Sequence, residues 1–326
     1  MTQAAGISAQ HASKICGIVV VSRPDSALGT RLASLAQQVG AIVVVINGPV
    51  QVDTSLVETS SGRSILAIQN DSNLGIAAAL NQGLRRAGDL GCEWALTLDQ
   101  DSDPAPDIVM QQMQALQQAS VKDRVCIVGA RVINRGVGTE ARYLRKAFGP
   151  VYRRSLCTGQ VLEDVTSVIT SGSLVRLGAF RDLGGFREDF FIDYVDTEFC
   201  LRALSRGYRI IVACEARLEH QLGRRTKASL GPLALYPTHH SPGRWYYMSR
   251  NRIPMIRRYG LQVPHWLSYE IVASSYVMLR MLLTEHERRQ KLKAFLRGTW
   301  DGLRGRMGPM PGSPEAVVSP EAAANG

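Results

Sequence analysis

Trp94-Ala95-Leu96-Thr97-Leu98-Asp99-Gln100-Asp101-Ser102 is an apolar run of strand length that ends in two carboxylates. In extended backbone the side chains repeat every second residue, so the spacing predicts Asp99 and Asp101 on one side. Asp103-Pro104-Ala105-Pro106 follows and ends the strand in a turn. The stretch therefore predicts a pair of acids at the C-terminal end of a buried parallel strand, where open α/β sheets bind their ligands. Two convergent carboxylates repel each other unless a cation or hydrogen-bond donors lie between them. A hard divalent ion bridging to a diphosphate fits that need. A solvated acidic loop with Asp helix caps is the alternative at this point.

Working outward, Ile15 to Val21, Ala41 to Ile46 and Ser64 to Gln69 read as further buried strands. Between them, Leu28 to Val39 and the segment after Asn73, with Ile76, Leu80 and Leu84 on one face, read as helices. A third helix spans about Pro106 to Gln118. Short alternation of strand and helix predicts a mostly parallel sheet with right-handed crossovers. Neither GxGxxG after the first strand nor GxxxxGK[ST] occurs, so no dinucleotide fingerprint or P-loop is present. Further on, Val125 to Ala130 reads as a strand and 131–160 as a loop or short hairpin. Val165 to Thr170 reads as a strand leading into Ser171-Gly172-Ser173. Gly178 to Gly185 reads as a short helix, Phe199 to Leu204 as part of another, and Tyr208 to Ala213 as a last strand.

The domain reading is a disordered N-terminus over 1–14, an α/β catalytic domain over 15–240, a basic helical region over 241–307 and a disordered tail over 308–326. The formal charge of +10 is unevenly placed: residues 224–306 hold 16 Lys/Arg against 4 Asp/Glu, leaving 22 against 24 elsewhere. Trp266, Tyr269, Tyr276 and the Leu/Met residues near 279–283, followed by Arg288, Arg289, Lys291, Lys293 and Arg297, suit helices lying on an anionic membrane surface. They equally suit helices that cover the core. The aromatics are not interleaved as in an RNA-binding surface, which argues against nucleic acid. Six cysteines lack metal-finger or CxxC spacing and suggest no disulfide framework, hence a reducing compartment. No leader-like apolar segment opens the chain, and no stretch is long and apolar enough to span a bilayer.

Asp99/Asp101, Asp193/Asp196, His220 and the Ser171-Gly172-Ser173 turn each fall at a strand end or helix start. In a parallel sheet those ends share one rim. If a nucleotide diphospho-sugar sat there, its diphosphate would leave as a stable anion needing a cation, held by Asp101 with Asp99 and His220. The acceptor alcohol would need a base, and Asp196 is the candidate. Asp193 equally suits a helix cap, with Asp196 favoured by the helix dipole.

At this point the chain resembles the inverting glycosyltransferase family 2, of GT-A fold, and within it the bacterial rhamnosyltransferases of rhamnolipid and O-antigen synthesis. The resemblance rests on Asn73-Leu74-Gly75-Ile76-Ala77, Asn81-Gln82-Gly83-Leu84, Leu98-Asp99-Gln100-Asp101-Ser102, Ser171-Gly172-Ser173, Phe191-Ile192-Asp193-Tyr194-Val195-Asp196-Thr197-Glu198, His220 and Arg250-Asn251 in that order. Trp300-Asp301-Gly302-Leu303-Arg304-Gly305-Arg306 is also similar to the end of such enzymes. The resemblance implies a Rossmann-like sheet flanked by helices with a C-terminal helical extension. It implies Mg2+ or Mn2+ on Asp101, Asp99 and His220, with Asp196 as general base. It implies nucleotide-sugar contacts from Asn47, Asn73, Gly75, Asn81, Asp99 and Arg250, with Arg250 on the diphosphate. Ser171, Gly172 and Asp193 would lie on the acceptor or sugar side.

The implied donor is dTDP-L-rhamnose and the acceptor a lipid-linked saccharide or glycolipid, at the cytoplasmic face of the inner membrane. Two departures bear on donor choice. Arg23-Pro24 stands where relatives carry Asn-Pro, and Ile46-Asn47 where they carry Asp-Asn. Another nucleotide sugar, a sugar nucleotidyltransferase and a non-catalytic nucleotide-sugar-binding module are the alternatives. Ser22-Arg23-Pro24-Asp25-Ser26 lacks the Gly-rich basic loop of a nucleotidyltransferase, and a silent module would be expected to have lost its acids.

Overall fold

An unbroken Val/Ile run belongs in a strand covered on both faces, and Ile15–Val21 (β1) is buried at every position. The fold is taken from a computed structural model, which describes residues 13–53, 65–135, 138–220, 228–230, 233–235 and 240–313. After β1 come Leu28–Ala36 (α1), Ala41–Asn47 (β2), Ile65–Asn70 (β3), Ile76–Asp89 (α2) and Trp94–Asp99 (β4). β3, β2, β1 and β4 lie side by side, all parallel. Asp103–Pro104 (β5), Ile108–Gln118 (α3) and Val125–Asn134 (β6) follow. Then come the hairpin Tyr143–Phe148 (β7) and Val151–Ser155 (β8), and the two-residue strand Val161–Leu162 (β9).

Ser173–Arg176 (β10) inserts antiparallel between β4 and β6. Leu177–Leu183 (α4), Val195–Ser205 (α5) and Arg209–His220 (β11) come next, with β11 parallel to β6. The order is β3-β2-β1-β4-β10-β6-β11-β5, with β9 on β11. Because β10 is reversed, its first residue lies on the same rim as the last residues of β4, β6 and β11. Ala228–Leu230 (β12) and Leu233–Leu235 (β13) form a separate ladder.

Alternation within each strand feeds two apolar layers. Ile42, Val44 and Ile46 pack with Leu28, Leu32 and Leu35 of α1 and Ile108 of α3. Val43 and Val45 pack on the other side, with Leu80 and Leu84 of α2, α4 and α5. Pro242–Tyr259 (α6), Pro264–Thr284 (α7) and Arg288–Leu303 (α8) complete the chain. Met255, Tyr259 and Trp266 join this second layer. α8 crosses α6 at backbone contact. A Cβ on Gly298 would stand 2.2 Å from the Tyr246 carbonyl, and one on Gly302 2.5 Å from that of Arg250. That closeness is the physical reason for glycine in the Trp300-Asp301-Gly302 segment.

Several expectations are corrected. Residues 165–170 form no strand. The strand is β10, after the Ser171-Gly172-Ser173 turn, because Leu174 and Val175 fill the slot between β4 and β6. The last strand of the large sheet continues from Ala213 to His220. There Ala216 and Leu218 face in while Glu215, Arg217 and Glu219 face out, an alternation legible in the sequence. Cys157 and Cys214 are joined in a disulfide, since the segment before β9 runs beside β11. The cysteine argument for a reducing compartment therefore falls.

The expected tail from 308 is fastened at its start. The Gly308 amide donates to Asp189 O at 2.8 Å, and Met310 N to the Tyr247 hydroxyl at 2.7 Å. Residues 1–12 and 314–326 lie outside the described residues. Of the C-terminal residues expected to face lipid, Trp266 and Lys291 are buried, Lys291 against Glu285 at 3.0 Å. Tyr269 packs edge-on against Tyr152.

Glu198 is the buried carboxylate that ties α5 to α6. It accepts from Arg202 Nη2 at 2.7 Å and from the Tyr259 hydroxyl at 2.7 Å. Removing one partner from a buried pair strands the other charge, so Glu198→Ala should cost about 3–5 kcal/mol in urea unfolding. Glu198→Gln, which keeps the Tyr259 bond, should cost less. A Glu198→Ala loss under about 1 kcal/mol would show that the network is not holding the helices together.

Candidate active site

β4 pairs with β1 up to Val20 opposite Asp99. The chain then turns, with Ser102 N donating to Asp99 O at 3.1 Å. Asp99 and Asp101 converge through this turn, not through the extended alternation expected. Gln100 turns the other way, its Oε1 accepting from Ser22 N and Arg23 N, both at 2.8 Å. It thereby ties the loop after β1 to the acids. β5 then pairs with the end of β11, Asp103 opposite Glu219 and Pro104 opposite Leu218. That short ladder carries His220 to the acids. Its Nε2 lies 3.8 Å from Asp99 Oδ2 and its Nδ1 3.9 Å from Asp101 Oδ1.

One ligand atom from each of Asp99, Asp101 and His220 lies within 4.8 Å of the others. Two carboxylate oxygens and an imidazole suit a hard or borderline divalent ion. Ser102 Oγ holds His220 Nδ1 at 2.8 Å and Ser171 Oγ at 2.7 Å. Ser171 Oγ in turn accepts from Asp99 N at 3.1 Å. With Nδ1 engaged by Ser102, Nε2 is the ring nitrogen left toward Asp99. Enclosure by the cleft walls pushes the Asp99 carboxyl above the usual range. His220 opposes that shift and Asp101 adds to it, although 38% of the Asp99 side chain still meets solvent.

Asp196 stands in the first turn of α5. Asp99 and Asp196 line one cavity of about 380 Å3, with Asn73, Gly75, Asp193 and Arg244. Asp196 Oδ1 accepts from Thr197 N at 2.7 Å. Burial, opposed by that bond and aided by Asp193, raises the Asp196 carboxyl to about 6. On its other side, Asp196 walls a smaller cavity of about 160 Å3 with Ser171, Arg142 and Tyr143.

The segment leading into α5 is strained: Phe191, Asp193 and Tyr194 all have φ of 64°. It is held by α6. Asn251 Nδ2 donates to the carbonyls of Phe190, Ile192 and Asp193 at 3.0, 2.9 and 2.9 Å. Arg250 Nη2 donates to Phe190 O at 2.9 Å, and its Nη1 to Gly308 O.

Arg250 is therefore not available to a diphosphate; it is fully buried and its guanidinium serves backbone carbonyls. Arg244, six residues earlier, lines the cavity instead and pairs with Asp193, its Nε 3.3 Å from Oδ2. Sequence reasoning missed it, though it opens the same helix. Asp193 is thus an ion-pair partner and not a helix cap.

Asn81 is also turned away, buried against Phe186 N and O. Asn47 lines the cavity, but its amide is spent on Leu74 N, Gly75 O, Asn70 and Asn73. It shapes the loop rather than offering bonds to a ligand. Ile46 packs in the α1 layer, facing away from the cavity. Gly75 has φ of 87°, and a Cβ there would stand 2.6 Å from Phe191 O. Ile76 N donates to that same oxygen at 2.9 Å, so the Asn73-Leu74-Gly75 loop rests directly on the strained segment. Gly172 is structural, its carbonyl accepting from Gln112 Nε2 at 2.8 Å.

A family model described as Glycosyl transferase family 2 matches residues 18–184. The dTDP-rhamnosyl transferase RfbF of Shigella flexneri is 28% identical over 306 residues, covering 91% of this chain and 97% of that protein. Among solved structures, S. aureus TarS matches with a TM-score of 0.55 at 15% identity, over 89% of this chain and 49% of that one. GalNAc-T7 with UDP, GalNAc and Mn2+ matches with a TM-score of 0.54 at 12% identity, over 89% of this chain and 56% of that one. This chain thus spans about half the length of those two structures, and they bear on the fold alone.

Asn251→Ala would free the Ile192 and Asp193 carbonyls beside a strained turn, and leave Phe190 O to Arg250 alone. Amide exchange over residues 190–195 should rise, with a stability loss of about 2–4 kcal/mol. Unchanged exchange there would show that α6 does not restrain the segment.

Proposed function

This chain belongs to glycosyl transferase family 2 and has the GT-A fold, and we propose that it moves L-rhamnose from dTDP-L-rhamnose to a hydroxyl of a lipid-linked saccharide or glycolipid, with inversion. One observation carries the reading. A single cavity is lined both by Asp99, which belongs to the metal-type cluster with Asp101 and His220, and by Asp196, a carboxylate of raised basicity. The named donor of the Shigella relative supports dTDP-rhamnose.

Asp99, Asp101 and His220 would hold Mg2+ or Mn2+, which when bound neutralises charge gathering on the departing diphosphate. Asp196 takes the proton of the acceptor hydroxyl as its oxygen attacks the anomeric carbon from the face opposite the diphosphate. The new C–O bond forms as the old one breaks. The electron pair leaves with dTDP, which needs no proton. Arg244 takes the diphosphate contact first assigned to Arg250, with Asp193 holding it in line. Asn73 and Gly75 wall the nucleotide side. The acceptor enters from the smaller cavity beyond Asp196.

No described helix is long and apolar enough to cross a membrane. α7 nevertheless leaves Ile271, Val272, Tyr276 and Leu279 exposed, and α8 leaves Leu292, Leu296, Trp300 and Leu303 exposed. On α8 those four recur at helical spacing as one stripe, flanked by Arg289, Lys293 and Arg297. These faces support a seat on a membrane surface, where a soluble donor and a lipid-borne acceptor can meet.

The test offers purified protein a panel of nucleotide sugars with Mg2+ or Mn2+ and follows nucleotide release with and without lipid acceptors. Release from another donor in preference to dTDP-rhamnose would overturn the donor assignment. Asp196→Asn should bind donor normally and lose transfer by about 10^2–10^4-fold. Its folded pKa of about 6 lies above the ordinary 3.8, so the ionised form costs the native state stability above that range. Asp196→Asn should therefore keep or raise Tm at pH 8. Since the deprotonated form is the base, wild-type kcat/KM should climb as pH rises through about 6. A profile flat from pH 5 to 7 would remove Asp196 from the role. Asp101→Ala should abolish the metal dependence of donor binding by calorimetry; unchanged affinity in Mn2+ would count against the cluster.

A further inference from the structure

The β7–β8 hairpin takes no part in the chemistry above. Residues 141–156 carry Arg142, Arg145, Lys146, Arg153 and Arg154 and no acid. At its tip Phe148 is 82% exposed and Val151 55%. Arg145 stands opposite Arg153 across the ladder. Like charges directly opposed destabilise a sheet pair unless an anion lies between them.

Lys146 and Arg153 also open onto a cavity of about 450 Å3, with Arg209, Asp164 and His265 in its wall. Asp164 is engaged by Arg209 at 3.7 Å. His265 Nδ1 is buried there with no hydrogen-bond partner. The cavity is cationic and has the volume for a phosphate head group.

Two attachments orient the hairpin. Tyr152 meets Tyr269 of α7 edge-on at 5.4 Å, and Arg154 lies over the same ring at 5.9 Å. This fastens the hairpin to a helix whose two charged residues, Glu270 and Arg280, are both buried. At the root, Arg142 and Tyr143 wall the smaller cavity that also touches Asp196.

We propose that the β7–β8 hairpin seats the protein on an anionic phospholipid surface, Phe148 entering the interface and the hairpin cations meeting head-group phosphates. An exposed aromatic among cations is the composition that binds such an interface. The hairpin then sets the acceptor cavity at the membrane, which rests on the reading that the acceptor is lipid-borne.

The test is co-sedimentation of the full chain with phosphatidylcholine vesicles, alone or with phosphatidylglycerol, at low and high salt. Wild type should bind the anionic vesicles and be released by salt. Phe148→Ser, and Lys146→Glu with Arg154→Glu, should each weaken binding at least tenfold, while Phe148→Trp retains it. All should keep wild-type slow hydrolysis of dTDP-rhamnose, because none of these residues lines the donor cavity, and the Phe148 variants should also keep wild-type melting curves because that side chain is exposed at the tip.

Undiminished binding by the variants would overturn the hairpin assignment and leave the α7–α8 seat standing. Wild type that hydrolyses donor yet ignores anionic vesicles would overturn the membrane seat and leave rhamnosyl transfer intact. A concentration-dependent dimer abolished by Phe148→Ser, without vesicle binding, would reassign the tip to self-association and overturn the proposal.

Discussion

Two residues of antiparallel pairing, Asp103-Pro104 against Leu218-Glu219, hold the site together. Without that ladder the acids at the end of β4 and the imidazole at the end of β11 would lie on strands separated by β10 and β6. The pairing pulls the loop after β4 across the rim. Asp103 is further engaged by Arg135 and by Arg31, the latter at 3.8 Å. The Ser102–Ser171 hydroxyl pair then fixes how the ring presents itself. Strand pairing and the two serine hydroxyls thus bring together a cluster whose like charges repel.

The segment that carries Asp196 into the cavity is built on strain. Three non-glycine residues at positive φ aim the start of α5, and Asn251 and Arg250 hold them with backbone-directed hydrogen bonds. α6 is therefore part of the site and not an appendage. It supplies Arg244 to the cavity and the clamp beneath Asp196, and α8 presses on it through Gly298 and Gly302. The Gly75 loop leans on the same strained segment through Phe191 O. The Asn73-Leu74-Gly75 loop and the segment leading into Asp196 thus meet at that one carbonyl.

Arg250 illustrates how a residue can be found by pattern and misassigned by role. An arginine near an anionic ligand is a natural phosphate partner, and its sequence position fits. Its burial is a property of how α6 packs, which no local pattern states. Arg244 carries no distinguishing signal beyond its charge, and becomes notable only because it pairs with Asp193 in the cavity wall. Asn81 and Asn47 show the same limit. Their amides are consumed inside the protein, by Phe186 in one case and by the 70–75 loop in the other.

Local chemistry was enough to determine the α/β alternation, the buried parallel strands, the acids closing β4 and the dense acidic segment at the start of α5. These follow from apolar periodicity and turn residues, which act over a few neighbours. Tertiary structure alone decided the reversed β10, the Cys157–Cys214 bond, the meeting of His220 with Asp99 and Asp101, and the placing of Arg244 rather than Arg250 in the cavity wall. Each depends on which distant strands pair and which helix face is covered. Those choices are settled by burial and hydrogen-bond satisfaction over the whole chain, a sum no single stretch contains.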